Sequence, residues 1–232
     1  MPIHGKLFSQ VSLAKIALES NAVIAMTHVT GHLSTGLGGA IKNLGMGFAS
    51  RKGKLRQHAG MNPNISEQYC TGCGVCIRWC PADAISMKNK TAVIDDQKCI
   101  GCGECIAVCR FDAVKHDWNV NSTQLQKRIA EHALGVVSQK PGKVGYFNFL
   151  TSITKDCDCF DIDQRPLMPD VGILAGKDPV AIDAASLDLI RKNNRKNLKI
   201  TDMSYPKLDA RVQIHHGESI GLGQSEYQLI EI

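Results

Sequence analysis

Aromatic side chains are scarce. Phe, Tyr and Trp make up 5% of the 232 residues, so any core is built mainly from aliphatic side chains. No apolar run comes near the roughly 18 residues that a membrane-crossing helix needs. The opening MPIHGKLFSQ lacks the basic-then-apolar pattern of a secretory signal. Extreme charge is missing too: 27 Lys and Arg against 22 Asp and Glu leave +5, too mild to demand nucleic acid as a partner. These absences predict a cytoplasmic chain with no membrane span. At 44% hydrophobic it has enough apolar surface for a core, which excludes wholesale disorder.

Cysteine is what the chain does have. Eight of its ten cysteines fall between Cys70 and Cys109, and two more are Cys157 and Cys159. In a reduced compartment, clustered cysteines read as metal ligands rather than disulfides.

The chain divides into three stretches. Residues 1–65 and 119–232 mix apolar runs with Gly, Pro and Asp, and residues 66–118 hold the eight clustered cysteines. VSLAKIALES (11–20) predicts a short helix burying Val11, Ala14, Ala17 and Leu18. AVIAMTHV (22–29) predicts a strand buried on both faces. Ser122 or Thr123 opens a predicted helix to Val137, with Leu125, Ile129, Ala133 and Val136 on one stripe. VGYFNFL (144–150) and VGILAG (171–176) read as strands, the second as another buried one. Asp178-Pro179 reads as the cap and first residue of a helix over 179–192. Strands alternating with helices predict a layered α/β domain, with the cysteine-rich stretch as an inserted unit whose ends lie close together.

That stretch is an internal repeat. YCTGCGVCIRWCPADAIS (69–86) and KCIGCGECIAVCRFDAVK (98–115) are offset by 29 residues, and each carries Cys-x2-Cys-x2-Cys-x3-Cys. Soft thiolates suit iron, and such a run supplies three ligands to one cubane cluster and the fourth to its neighbour. The rule gives Cys70, Cys73, Cys76 and Cys109 for one [4Fe–4S] cluster. Cys99, Cys102, Cys105 and Cys80 serve the second. Gly72, Gly74, Gly101 and Gly103 permit the tight turns. Zinc is the competing reading, but zinc ribbons use separated Cys-x2-Cys pairs. Two clusters carrying about −2 each would bring the net charge from +5 to about +1. The repeat resembles the bacterial two-cluster ferredoxin, which implies an α+β electron-relay module. It departs from that pattern in having Arg110 after Cys109 where the first run has Pro81 after Cys80.

Outside the repeat, the glycine-rich loop TGHLSTGLGGAIKNLGMG (30–47) follows the first predicted strand. His28 and His32 are four apart and would share a metal or ligand on one helical turn; the plainer reading is two hydrogen-bonded loop histidines. Gly36, Gly38 and Gly39 would cradle a phosphate or cofactor with Lys42 as the charge. Yet the loop is neither a P-loop nor a GxGxxG fingerprint, since Ile41 stands at the third glycine, and close packing is the alternative. Cys157-Asp158-Cys159 sits among Asp156, Asp161 and Asp163. Its thiols would bind a metal, form a redox pair or act as nucleophile, or they are ordinary reduced cysteines. The basic runs RKGKLR (51–56) and RKNNRKNLK (191–199) read as solvated faces or as docking surfaces for an acidic partner. His215-His216 reads as incidental.

THVTGHLSTGLGGAIKNLGMGFASRKGKLRQH (27–58), YFNFLTSITKDCDC (146–159) and PDVGILAGKDPVAIDAASLDLI (169–190) resemble the family called domain of unknown function 362 over nearly the whole chain. The resemblance implies an iron–sulfur α/β protein of undefined activity. Its members are generally longer at the N-terminus. The expectation is a fragment, a homo-oligomer, or a separate chain supplying the rest. His32 and Lys42, ten apart, are also similar in spacing to a loop of the nickel-pincer lactate racemases. That likeness implies a common fold, with His32 as an acid–base group and Lys42 as a cofactor anchor.

Three functions compete. One is an electron-transfer protein with two [4Fe–4S] clusters and a redox partner protein. Another is a redox-linked enzyme with a substrate, further metal or cofactor near His28, His32, Lys42, Cys157 and Cys159. The last is a binding module that the clusters merely stiffen.

Overall fold

A computed structural model of the chain describes residues 1–58, 63–115, 121–160 and 162–232. Asp161, and residues 59–62 and 116–120 near the expected boundaries of the cysteine-rich stretch, lie outside the described residues. In chain order the elements are α1 (Lys15–Glu19), β1 (Val23–His28), α2 (Ala40–Gly47), α3 (Arg51–His58), β2 (Asn64–Ile65), α4 (Val75–Arg78), β3 (Ile85–Lys88) and β4 (Thr91–Ile94). There follow α5 (Glu104–Val108), β5 (Val114–Lys115), α6 (Ser122–Val137), β6 (Val144–Leu150), β7 (Gly172–Gly176), α7 (Pro179–Asn193), α8 (Ile200–Met203) and α9 (Val212–Ser219). They form two compact units, Met1–Ser50 with Ser122–Ile232 and Arg51–Asn121. None of the helices described is long and apolar enough to cross a membrane.

The first unit is mixed α/β, built on a sheet in the order β1-β6-β7. β1 runs parallel to β6, and β7 antiparallel to it. The alternation along β1 buries Val23, Ala25 and Thr27 under helices. Ile24 and Met26 are 70% and 66% exposed. β1 is therefore buried on one face, not both. β7 likewise leaves Ile173 59% exposed. The apolar run is continuous, but α2 and α7 pack on one side only, and Ile24, Met26, Phe147 and Ile173 share the other.

The helix signals fare better. Leu125, Ile129, Ala133 and Val136 of α6 are all buried, as a 3.6-residue period demands. Asp178 caps α7, its side chain accepting from the Val180 and Ala181 amides at 2.8 and 3.0 Å. α1 is shorter than its pattern: Val11 and Leu13 are buried before the helix starts, and Leu18 is exposed. His216, read as incidental, is buried with its Nε2 3.0 Å from Glu131 Oε1. Glu131 also accepts the Lys6, Leu7 and Phe8 amides, each at 2.8 Å. This fastens the N-terminal loop to α6.

In the second unit the repeat is written in the backbone. β2, α4 and β3 recur 29 positions later as β4, α5 and β5. Gly72 and Gly101, Gly74 and Gly103, and Asp83 and Asp112 all take positive φ at equivalent places. Pairing crosses between the repeats: β2 with β5, and β3 with β4 through a two-residue turn at Asn89-Lys90, both at positive φ. The β2–β5 ladder sets Ile65 beside Val114, so the ends of the cysteine-bearing segment meet. Cys76, Ile85, Ala92, Cys105 and Val114 form the core. α3, which carries the basic run 51–56, is not simply a solvated face. Gly53 and Gln57 are buried, and Leu55 stands where a Cβ on Gly103 would go.

Candidate functional site

The crossed pairing of the repeats mixes their cysteines. One small pocket, of about 20 Å³, is lined by Cys70, Cys73 and Cys76 of the first run and Cys109 of the second. A second, also of about 20 Å³, is lined by Cys99, Cys102 and Cys105 with Cys80. Both walls are otherwise mostly aliphatic and small. The fourth cysteine of each run lies beyond its helix, where the following strand turns toward the other repeat.

Three of the thiols, those of Cys76, Cys99 and Cys105, resist ionisation as free groups. Burial raises Cys76, and neighbouring Cys70 and Cys73 raise it further. Burial also raises Cys99, with Cys102 and Cys80 adding to it. Cys105 is pushed up to about 12 by burial, then by Cys102 and Cys99. A bound metal centre reverses this balance, because its positive charge favours the thiolates. Backbone amides already point at two sulfurs: Ala84 N–H donates to Cys80 Sγ at 3.3 Å and Ala92 N–H to Cys70 Sγ at 3.5 Å. Among the described residues no three His, Cys, Asp or Glu side chains gather closely enough for one ion.

The first unit has its own pocket, of about 350 Å³, lined by the ends of β1 and α2 and by the loop after β6. His28, Thr30, Gly38, Gly39, Lys42, Cys157, Asp158 and Cys159 face it. His28 Nδ1 lies 2.8 Å from Asp158 Oδ2 and Nε2 2.9 Å from the Thr151 carbonyl. Cys157 and Cys159 are joined as a disulfide, Cα to Cα 5.4 Å, with Cys157 buried and Cys159 exposed. Lys42 is lowered by burial, against the pull of Asp158. Thr30 is 1% exposed, and its hydroxyl has no hydrogen-bond partner among the described residues.

Not all the sequence candidates meet there. His28 ends a strand rather than starting a helical turn, and His32 does not line the pocket. His32 is buried, and its Nδ1 accepts the Ser34 and Thr35 amides at 3.2 and 3.1 Å. Gly36 packs at positive φ against Thr201 and Ala210. Gly38 and Gly39 do line the pocket, but the α2 amides behind them are not free for a phosphate. Asp183, fully buried on α7, accepts from Ala40 N–H at 2.7 Å and Ile41 N–H at 2.9 Å. A Cβ on Gly39 would run into that carboxylate. Burial pushes Asp183 up to about 6, while the Ile41, Asn148 and Ala40 donors pull the other way.

Sequence reasoning missed Thr30 in this site and Asp183 behind it, and took Asp158 only as one of several acids that would attract a cation. Thr30 and Asp158 were within reach, being next to residues already singled out. Asp183 gave only one signal, an acid inside an otherwise apolar helix face.

A family model described as a domain of unknown function, DUF362, matches residues 1–188. Among curated proteins none matches the chain.

Proposed function

We propose that this chain, which belongs to the DUF362 family, is an iron–sulfur electron-transfer protein whose Arg51–Asn121 unit is a two-cluster ferredoxin-like module. Cys70, Cys73, Cys76 and Cys109 would hold one [4Fe–4S] cluster, and Cys99, Cys102, Cys105 and Cys80 the other. One observation carries this reading: two pockets each collect four cysteines, three from one run and one from the other. That is the ligand exchange expected of two cubanes.

When bound, each cluster would supply one-electron redox chemistry at low potential. The chain's own part is to furnish thiolates, aim amides at the sulfurs and keep water out with Ile65, Ile85, Ile94 and Val114. Cys76 and Cys105 share one apolar core, which suits electron exchange between the two sites. A redox partner protein would deliver or take the electrons, in an oxygen-poor, reducing compartment.

The test is anaerobic purification with metal and sulfide analysis. About eight iron and eight sulfide per chain is the expected result. Iron near zero with about two zinc would overturn it.

A second reading, a redox-linked enzyme with a substrate in the α/β unit, is favoured by the pocket at Lys42. It contains a buried hydroxyl, Thr30 Oγ1, without a partner among the described residues. Pincer chemistry is not part of that reading, because His32 stands outside the pocket.

A further inference from the structure

We propose that Cys157–Cys159 is a redox-active disulfide that exchanges with small thiols bearing a carboxylate, which bind in the pocket between β1 and α2. This rests on the second reading above and gives it a substrate class.

Three observations converge. The disulfide is part of the pocket wall, and its two sulfurs are inequivalent, Cys159 being exposed and Cys157 buried. An attacking thiol therefore reaches Cys159 first. The same pocket holds Lys42, which forms no salt bridge among the described residues; Asp158, the acid that bears on it, is tied to His28. It also holds Thr30 Oγ1, a buried donor without an acceptor among the described residues. An ammonium and a hydroxyl donor lining one pocket call for a carboxylate. Glycine is required at position 38, since a Cβ there would crowd Thr30 Oγ1 at 2.9 Å and stand 3.8 Å from Lys42 Cδ. The cavity, about 350 Å³, is small-molecule sized.

The chemistry balances without another reagent. The thiolate of one ligand attacks Cys159 Sγ, the S–S bond breaks, and its electron pair goes to Cys157 Sγ, which takes up a proton. A second thiol attacks the ligand's sulfur in the mixed disulfide and forms the ligand disulfide. Cys159 leaves as thiolate and is protonated. Two protein thiols are gained, and two ligand thiols become one disulfide. His28 is a positioning residue here. Both its nitrogens are engaged, by Asp158 and Thr151, so it holds the Cys-Asp-Cys loop rather than moving the proton.

The test uses the full chain, purified anaerobically. Opening of the disulfide is followed by differential alkylation and mass spectrometry of the peptide carrying Cys157 and Cys159, so that other cysteines do not interfere. Mercaptoacetate, 2-mercaptoethanol and cysteamine are compared on wild type, Lys42→Met and Thr30→Val. Dividing the wild-type rate by the variant rate cancels each thiol's intrinsic reactivity. The expected ratio is about tenfold for mercaptoacetate, near one for 2-mercaptoethanol and at or below one for cysteamine. Lys42→Arg restores the mercaptoacetate rate. Should Lys42→Met fail to fold, the near-isosteric Thr30→Val carries the test with the same charge-selective loss. Equal ratios for all three thiols would overturn the proposal. So would a pair that is reduced as purified and stays open in oxidised glutathione. Iron is measured on the same samples, so failure here is read separately from failure of the cluster assignment.

Discussion

His28 and Asp158 meet at 2.8 Å across 130 residues of sequence, and the other ring nitrogen of His28 faces the Thr151 carbonyl at 2.9 Å. A carbonyl only accepts, and so does an ionised carboxylate, so the ring fits this place best as an imidazolium. Burial alone would lower its pKa; the Asp158 and Thr151 bonds outweigh burial and raise it. A raised histidine stabilises fully below the ordinary value of about 6.5, and the benefit is lost as pH rises through the folded value. His28→Asn should therefore melt below wild type by a wider margin at about pH 5.5 than at about pH 9. The cost is on the order of 0.5 kcal/mol, since Asp158 is largely exposed. Equal margins at both pH values would mean the ring binds neutral.

Asp183 should be a stability residue before it is anything else. Asp183→Ala strands the Ala40 and Ile41 amides and leaves Asn148 Nδ2 with Ser186 Oγ alone, at a cost of roughly 3 kcal/mol in chemical denaturation. Its acid linkage runs opposite to the usual carboxylate. The folded pKa is raised to about 6, so the folded state holds more protons and stability falls between about pH 4 and that value. Asp183→Asn should flatten that fall, as read from melts at successive pH values.

Glu131 shows the ordinary sign. Burial opposes its charge, but His216 and the three amides of Lys6–Phe8 lower its pKa. Its contribution is present above about pH 4.3 and lost as pH falls through the depressed folded value. Glu131→Ala should cost about 3 kcal/mol in denaturant and move the acid-unfolding midpoint up. An unmoved midpoint would count against the pairing.

The crossed cysteines give a discriminating iron assay. Cys80 belongs to the first run in sequence but to the second pocket in space. Cys80→Ser should therefore disturb the same electron paramagnetic resonance signal as Cys99→Ser, leaving about four iron per chain. If it instead disturbs the signal lost in Cys73→Ser, the pairing proposed here is wrong.

Gly74 and Gly103 separate strain from collision. Both sit at positive φ, 70° and 75°, before their helices. A Cβ on Gly74 meets nothing within 4 Å, whereas one on Gly103 collides with Leu55. Gly74→Ala should cost about 1 kcal/mol, and Gly103→Ala clearly more, by denaturant midpoints. Equal losses would place Leu55 elsewhere.

Features that depend on neighbours along the chain are legible in the residues alone. The α6 stripe, the Asp178-Pro179 start of α7 and the strand runs 144–150 and 171–176 were readable because periodicity and capping are local. So was the 29-residue repeat, which recurs in the backbone at Gly72 and Gly101. Tertiary structure decided the rest. Whether Ile24 and Met26 are covered depends on which side α2 and α7 pack, and an apolar run is the same in either case. His28 meets Asp158 rather than His32 because β1 and β6 are parallel neighbours, which puts the end of one beside the loop leaving the other. Asp183 reaches α2 from 143 positions away, and Thr30 becomes a buried hydroxyl, without a partner among the described residues, only when Gly38 folds against it. Such contacts depend on three-dimensional packing, which spacing along a chain does not encode.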